Sequence, residues 1–129
     1  MTSFDELQEK ILTLHRERDW EQFHNPKDLI IALVGEVGEL AECYQWLTDE
    51  EVSRVHNNPV KRKHIEEELA DILIYLITLA RSTDIDLLSA TQEKIEKVRK
   101  RYPVSSSKGV HSNYIEGFKG PASPSQYDQ

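Results

Sequence analysis

The sequence predicts an all-α protein built from four main helices. Three observations favour this class: apolar residues recur at helical spacing, capping residues stand before the periodic segments, and two of those segments contain carboxylate pairs one turn apart. The 129 residues suffice for one domain with a modest core. We assign residues 1–103 to this helical domain and residues 104–129, which are rich in Ser, Gly and Pro, to a flexible, extended or disordered tail.

The first two helices are predicted from their caps. Helix one runs from Ser3 to about Arg18, because Ser3 and the glutamate three residues later form a capping-box pattern ahead of a helical apolar stripe. Helix two begins at Asn25-Pro26, an N-cap followed by proline in the first helical position, and runs to about Leu47.

Helices two and three are expected to form an antiparallel hairpin across the polar connection of residues 48–59, which is long enough to hold a short helical turn or to act as a flap. Helix three runs from Pro59 to about Arg81. Its second half is apolar on nearly every side, which predicts burial between helices or between subunits and therefore a homo-oligomer. Helix four is expected to start from a cap at Thr83-Asp84 and to end in the basic run of residues 97–101.

Composition indicates which kinds of molecule this protein binds and in which compartment we expect it. The net charge of −7 argues against a nucleic-acid or anionic-membrane surface, so a polyanionic partner needs a metal ion as a bridge. The longest apolar run, residues 72–80, is too short to cross a bilayer. Cys43 has no partner for an internal disulfide and is expected in the core, and no secretory segment is visible at the N-terminus, so we expect a cytoplasmic protein.

The carboxylate pairs are the first candidates for chemistry. Glu36 and Glu39 project within about 60° of one another on a helix, as do Glu68 and Asp71. Both pairs fall inside an apolar arc, which indicates that they face the interior or a cleft. Clustered carboxylates repel one another unless they take up protons or a cation, and oxygen ligands suit Mg²⁺ or Mn²⁺. The alternative is that these are ordinary acidic residues on a helix surface.

Aromatic and histidine side chains supply a second set of candidates. Trp20, Phe23 and His24 precede helix two and form either a packed connector or a wall of a ligand pocket, since aromatic faces stack well on bases. His15 and His56 stand among polar residues and are expected in solvent.

Two further features leave alternatives open. Gly35 and Gly38 interrupt helix two and indicate either the close approach of a helix or ligand, or local bending. The basic run at the end of helix four either complements the helix dipole or neutralises a triphosphate through Lys94, Arg99 or Arg101.

The ordered set of motifs resembles the MazG-like, all-α nucleoside triphosphate pyrophosphatases, and looks especially like their dCTP pyrophosphatase branch. The resemblance spans residues 4–103, and the stretches that carry it are ERDWEQFHNP (17–26), LVGEVGELAE (33–42), QW (45–46), EELADILIYL (67–76) and RYP (101–103).

The resemblance implies a four-helix MazG-like bundle that hydrolyses a nucleoside triphosphate to the monophosphate and pyrophosphate. It implies Mg²⁺, with Mn²⁺ as an alternative, held by Glu36, Glu39, Glu68 and Asp71. It places Trp20, His24, Trp46 and Tyr75 around the base and sugar, and Lys94 beside the phosphates. Relatives are typically dimers or tetramers. Many carry an asparagine where this chain has Val98, which affects sugar or base selectivity.

Several functions remain in competition. The preferred substrate is dCTP or a modified dCTP, but dATP, dUTP and dTTP are alternatives because stacking tolerates many bases. Glu39 is the first choice for the group that orients or deprotonates the attacking water. A di-iron or di-manganese carboxylate bundle normally needs two ExxH motifs, whereas this chain has one, at Glu21 to His24. A non-enzymatic helical interaction module is the third possibility.

Overall fold

The structure is a computed structural model that describes residues 2–109. Within that range the chain forms helices and no strand, which confirms the predicted all-α class. The helices are α1 (Phe4–Glu17), α2 (Pro26–Glu42), α3 (Asp49–Arg54), α4 (Pro59–Ser82), α5 (Leu87–Arg101) and α6 (Val104–Ser107). Single 3₁₀ turns at Glu21–Phe23 and Val55–Asn57 precede α2 and α4.

Side-chain caps fix the starts of three long helices. Ser3 and Glu6 form the predicted capping box at α1, where the Glu6 amide donates to Ser3 Oγ at 3.1 Å. At α2, Asn25 Oδ1 accepts a hydrogen bond of 2.9 Å from the amide two residues on. At α4, Asn58 Oδ1 accepts two such bonds of 3.1 Å each. These caps satisfy amides that have no partner inside the helix, which confirms the predicted starts.

Helix α2 ends at Glu42, about five residues before the end that the sequence pattern predicted at Leu47. The amides of Cys43 and Tyr44 donate to carbonyl oxygens three residues back, at 3.1 and 3.0 Å, so the last turn tightens out of α-geometry. Thr48 then caps α3, which occupies the connection to α4. In this tightened turn Cys43, Tyr44 and Leu47 are half-buried, whereas Trp46 is exposed.

Helix α5 begins at Leu87, later than the predicted cap at Thr83-Asp84. Thr83 Oγ1 donates to the carbonyl oxygens of Leu79 and Ala80, at 2.9 and 3.1 Å, so this side chain closes the end of α4. Asp84 has a φ of 55°, in the left-handed region that helix interiors exclude. The chain therefore turns before α5 starts.

The most extensive helix contact joins α2 and α4, which run antiparallel across the short α3 and confirm the predicted hairpin. Helix α1 packs on α4 as well. Ile77 lies at the centre and is 1% exposed. The buried apolar residues of the described chain are Ile11, Leu29, Val55, Ile65, Ile77 and Ala80.

The chain divides into two compact units, Met1–Leu87 and Leu88–Gln129. The first holds α1 to α4, and the second holds nearly all of α5 together with α6. The single turn of α6 stands where an extended tail was predicted to begin, and the remainder of that prediction, from residue 110 onward, lies outside the described residues. No helix within residues 2–109 is both long enough and apolar enough to span a bilayer.

Candidate functional site

The antiparallel α2–α4 pairing brings three predicted carboxylates together. Glu36, Glu39 and Glu68 each offer one carboxylate oxygen, and these oxygens lie within 4.8 Å of one another. Helical spacing places Glu36 and Glu39 on one face of α2, and the hairpin places Glu68 of α4 opposite them. We call these three residues the acidic cluster.

Burial differs across the acidic cluster. Glu68 is 6% exposed, Glu36 is half-buried and Glu39 is exposed. Glu36 Oε2 and Glu68 Oε2 are buried and have no hydrogen-bond partner among residues 2–109. An unpaired buried carboxylate oxygen is costly, because neither water nor a donor compensates its charge. A divalent cation meets this requirement, since it prefers oxygen ligands and neutralises the clustered charge.

The same crowding raises the pKa of two carboxyl groups. Burial, followed by the charges of Glu39 and Asp71 and by the close approach of the Glu39 and Glu68 carboxylates, raises the pKa of Glu36 to about 7. Burial and contact with Glu39 also raise the pKa of Glu68, against the opposing effects of Glu36 and His64. Without a cation, the acidic cluster therefore retains protons that isolated glutamates would release.

Asp71 lies at the border of the acidic cluster. It is half-buried on α4, one turn beyond Glu68, and its charge raises the pKa of Glu36. It is not one of the three residues whose oxygens fall within 4.8 Å. Of the four predicted metal ligands, the structure thus brings three into one group and the fourth within electrostatic reach.

His64 is a neighbour of the acidic cluster that the sequence analysis did not select. Its Nε2 lies 3.8 Å from Glu68 Oε1, one helical turn earlier on α4. The spacing of four residues between His64 and Glu68 was the available signal, because such pairs share a helix face. His64 also lines a cavity of about 300 Å³ together with Cys43 and Ile65. Burial raises the pKa of the Cys43 thiol, as do nearby carboxylates, so a reactive thiolate is disfavoured there.

A second group of side chains lies at the junction of α1, the first 3₁₀ turn and the end of α4. The His24 ring stands edge-on to His15, with ring centroids 4.6 Å apart, and the Trp20 ring lies 6.1 Å from His15. His15 is 8% exposed, so its expected location in solvent was wrong. The His15 and His24 rings border a cavity of about 400 Å³ that also reaches Thr78.

The other predicted substrate-binding residues are more dispersed. Tyr75 is half-buried on α4, one turn beyond Asp71. Trp46 is 84% exposed in the turn that follows α2. Lys94 lies on α5 in the second unit, where it and Val98 line one cavity of about 390 Å³.

The two glycines of α2 meet no close neighbour. A Cβ atom added at Gly35 or at Gly38 would lie farther than 4 Å from the nearest atom counted outside its own helix segment. Close approach by another helix of the described chain therefore does not account for them.

Sequence and structure comparisons agree on the relatives of this chain. The chain is 48% identical over 122 residues to dCTP pyrophosphatase 1 of Bos taurus, covering 92% of this chain and 72% of that protein. Over the same coverage it is 45% identical to dCTP pyrophosphatase 1 of Homo sapiens. The crystal structure of a pyrophosphatase from Archaeoglobus fulgidus is similar, with a TM-score of 0.71 and 34% identity over 77% of this chain and 91% of that chain.

A model of the MazG-like family matches residues 31–116, a range that includes all four predicted metal ligands. The match covers more than half of the chain. This chain belongs to the MazG-like family.

Proposed function

We propose that this protein is a Mg²⁺-dependent nucleoside triphosphate pyrophosphohydrolase. It converts a deoxynucleoside triphosphate, with dCTP or a modified dCTP as the first candidates, to the monophosphate and pyrophosphate, and so clears unwanted nucleotides from the pool. The observation that carries this proposal is the acidic cluster, whose three carboxylate oxygens lie within 4.8 Å, in a chain 48% identical to a dCTP pyrophosphatase.

Membership of this family implies a divalent metal, and the acidic cluster fits one. The two buried carboxylate oxygens without donors are the strongest sign of that fit. The residues that would hold the metal are Glu36, Glu39 and Glu68, with Asp71 as a fourth. Mg²⁺ is our choice because it keeps several waters and binds substrate phosphates, and Mn²⁺ suits the same donors. When bound, the ion neutralises phosphate oxygens and lowers the pKa of water.

Carboxylates of the protein accept the proton of the attacking water, and the helices that carry them hold them in position. Water attacks the α-phosphorus, the bond from that phosphorus to the bridging oxygen breaks, and pyrophosphate leaves. Glu39 accepts the proton of the attacking water in this proposal, because it is the solvent-exposed member of the acidic cluster and contacts both Glu36 and Glu68. The α2–α4 pairing holds the carboxylates in place before substrate arrives.

The nucleoside end is assigned to the aromatic residues. His24 borders the cavity between α1 and α4, and the Trp20 ring lies 6.1 Å from the ring of His15, which also lines that cavity. Tyr75 stands on α4 between that cavity and Asp71. Trp46 offers an exposed ring for stacking. Lys94 is proposed to contact the phosphates, and Val98 removes a polar contact at its position.

The competing functions have less support. The acidic cluster contains carboxylates and no histidine ligand within residues 2–109, whereas a di-iron bundle normally adds two ExxH motifs. A purely structural interaction module leaves the two unpartnered carboxylate oxygens unexplained. Within the enzyme class, a broader specificity that includes dATP or dUTP stays open to test.

Oligomeric state and location complete the proposal. Exposed apolar residues follow one another at helical spacing along α2, among them Ile30, Val34 and Val37, which supports a homo-oligomer, either dimer or tetramer. A cytoplasmic location stays a prediction from the sequence.

A substrate panel tests the reaction. The eight natural ribo- and deoxynucleoside triphosphates and 5-methyl-dCTP are incubated with protein and Mg²⁺, and pyrophosphate and orthophosphate are quantified separately. We expect pyrophosphate in equal amount to monophosphate, with dCTP or 5-methyl-dCTP turned over fastest. Release of orthophosphate alone would exclude the proposed bond cleavage.

A matched pair of variants tests the acidic cluster. Glu68→Gln keeps the shape of the side chain but removes its charge, and we expect turnover to fall by about 100-fold or more. Glu67→Gln is the control, because Glu67 is exposed and adjacent on the same helix. Equal activity of both variants, with unfolding transitions like the wild type, would refute the assignment.

A further inference from the structure

His64 has the one basic side chain that contacts a carboxylate of the acidic cluster within residues 2–109. Its Nε2 lies 3.8 Å from Oε1 of Glu68. Glu68 is 6% exposed, whereas the His64 side chain is 60% exposed. The contact therefore joins a buried carboxylate to a ring that reaches solvent.

The spacing of the two residues along α4 produces this contact. Residues four apart lie on the same face of a helix, about 6 Å apart along its axis. Helical side chains lean toward the N-terminus, so Glu68 leans toward the turn that carries His64. The helix backbone thereby holds the imidazole beside the carboxylate.

The two oxygens of Glu68 have different surroundings. Oε1 faces His64, and Oε2 is buried without a partner in the described chain. A carboxylate that binds a metal ion is commonly held by a second polar group, which fixes its orientation. His64 stands where such a group would act on Oε1.

The His64 ring is free to approach Glu68 more closely. The distance of 3.8 Å exceeds that of a hydrogen bond by about 0.6 Å or more. No other hydrogen bond or ion pair engages this ring in the part of the chain that the structure describes. Rotation of the exposed side chain can close the gap, and Nε2 carries a proton in the charged ring and in one neutral tautomer.

The neighbouring cations contact a different acidic residue. Arg62 Nε lies 3.3 Å from Oε1 of Glu66, and Lys63 Nζ lies 3.8 Å from Oε2 of the same side chain. Glu66 is exposed and is not part of the acidic cluster. Of these three consecutive basic residues, His64 alone contacts the acidic cluster.

We propose that His64 is a positioning residue, whose Nε2–H holds Oε1 of Glu68 and so leaves Oε2 for the divalent cation. The inference rests on the proposed pyrophosphohydrolase function and adds to it a residue outside the acidic cluster. It assigns His64 a role in metal affinity.

Direct metal binding provides the test. Metal-free protein is titrated with Mn²⁺ at about pH 8, and free Mn²⁺ is quantified by its EPR signal. His64→Phe keeps a ring but removes both nitrogens, and we expect the Kd for Mn²⁺ to rise about 10-fold or more. His64→Gln retains an N–H donor and should recover most of the affinity. Lys63→Gln is the matched control, because Lys63 contacts Glu66, and it should bind Mn²⁺ as the wild type does.

The sign of the change separates positioning from charge alone. If His64 acted only through a positive charge, its removal would tighten Mn²⁺ binding, because like charges repel. Unchanged or tighter binding by His64→Phe would therefore overturn the inference. Failure of His64→Gln to recover affinity would overturn it as well.

Turnover gives a second readout. In His64→Phe, the Mg²⁺ concentration for half-maximal turnover should rise by the same factor as the Kd for Mn²⁺. At saturating Mg²⁺, kcat should change less than about 3-fold. A lower kcat with wild-type Mn²⁺ affinity would count against the positioning role. The proposed function fails separately, if wild-type protein binds Mn²⁺ but releases no pyrophosphate from any nucleotide.

Discussion

At the scale of single residues, two buried carboxylate oxygens dominate the energetics of the candidate site. Glu36 Oε2 and Glu68 Oε2 lack donors within residues 2–109, and both side chains have raised pKa values. Buried carboxylate oxygens without a partner destabilise the folded protein unless a ligand binds them.

Stability should therefore depend on pH in a specific direction. The pKa of Glu36 rises from 4.5 in the unfolded chain to about 7 in the folded state. Between these values the folded state holds a proton that the unfolded chain has released, so stability falls as pH rises through this window. We expect the thermal unfolding midpoint of metal-free protein to decrease from about pH 5 to about pH 7.

Glu36→Gln is the control for this effect, because it removes the titrating group. It should flatten the dependence between the same pH values. Mg²⁺ binds the charged form, so its stabilising effect should be larger at about pH 8 than at about pH 5. A midpoint that rises with pH in wild type but not in Glu36→Gln would contradict the assigned pKa shift.

Histidines show what sequence reasoning at this scale can and cannot recover. His15 and His56 were expected in solvent, yet His15 is buried and His56 Nε2 lies 2.7 Å from the Tyr44 hydroxyl oxygen. The His15 ring contacts Trp20 and His24, which lie beyond the turn that follows α1, and His56 contacts Tyr44, which lies on the other side of α3. The polarity of neighbouring residues in the sequence does not predict such contacts.

At the scale of elements, the caps were predictable and several helix ends were not. Asn25 and Asn58 act at short range, so their positions beside proline determine the starts of α2 and α4. The end of α2 at Glu42 depends on a tightened turn, and Thr83 could cap either of two helices. Packing determines where α2 ends and which helix Thr83 caps, and the pattern of apolar residues does not distinguish these alternatives.

The carboxylate pairs were predictable for a related reason. A spacing of three residues within a helix fixes which side chains share a face, and the hairpin fixes which faces meet. Three of the four predicted ligands lie in one cluster as a result. The family and the pyrophosphatase class were also predicted, and the comparisons confirm both.

The cap of α4 gives a prediction at this scale. Asn58 Oδ1 accepts hydrogen bonds from two amides at 3.1 Å each, and Asn58→Ala should lower the free energy of unfolding by about 1 kcal/mol. Asn57→Ala is the matched control, because Asn57 is exposed and precedes the cap by one residue. Urea denaturation should separate the two variants, and equal midpoints would argue against the cap as a stabilising element.

The core of the first unit gives a second prediction about stability. Ile77 is 1% exposed, and Ile77→Ala should cost about 3 kcal/mol through the lost burial and the remaining cavity. Ile77→Val should cost about 1 kcal/mol. A loss below about 1 kcal/mol for the alanine variant, measured by urea denaturation, would contradict the assignment of Ile77 to the core.

At the scale of the whole molecule, exposed apolar side chains are the main feature. Ile30, Val34 and Val37 lie on one stripe of α2, and Val34 is 64% exposed. Leu69, Leu73 and Leu76 form a similar stripe on α4. Contiguous apolar surface of this kind commonly marks an interface, which supports the proposed homo-oligomer.

A charge placed in the α2 stripe should disrupt the assembly. We expect Val34→Glu to convert the oligomer to single chains, as measured by sedimentation equilibrium, because an unpaired charge in an apolar interface is costly. Lys27→Glu, on an exposed part of the same helix, should leave the assembly intact. Wild-type protein that sediments as single chains at every concentration would rule out the oligomer.

Trp46 carries a practical consequence of its 84% exposure. An indole in water emits at longer wavelength than one in an apolar environment, so its fluorescence reports directly on whatever covers it. In a Trp20→Phe background, burial of Trp46 on assembly should move the emission maximum toward the blue. The chain thus contains its own optical probe, with which occupancy of this turn can be followed in real time without a label.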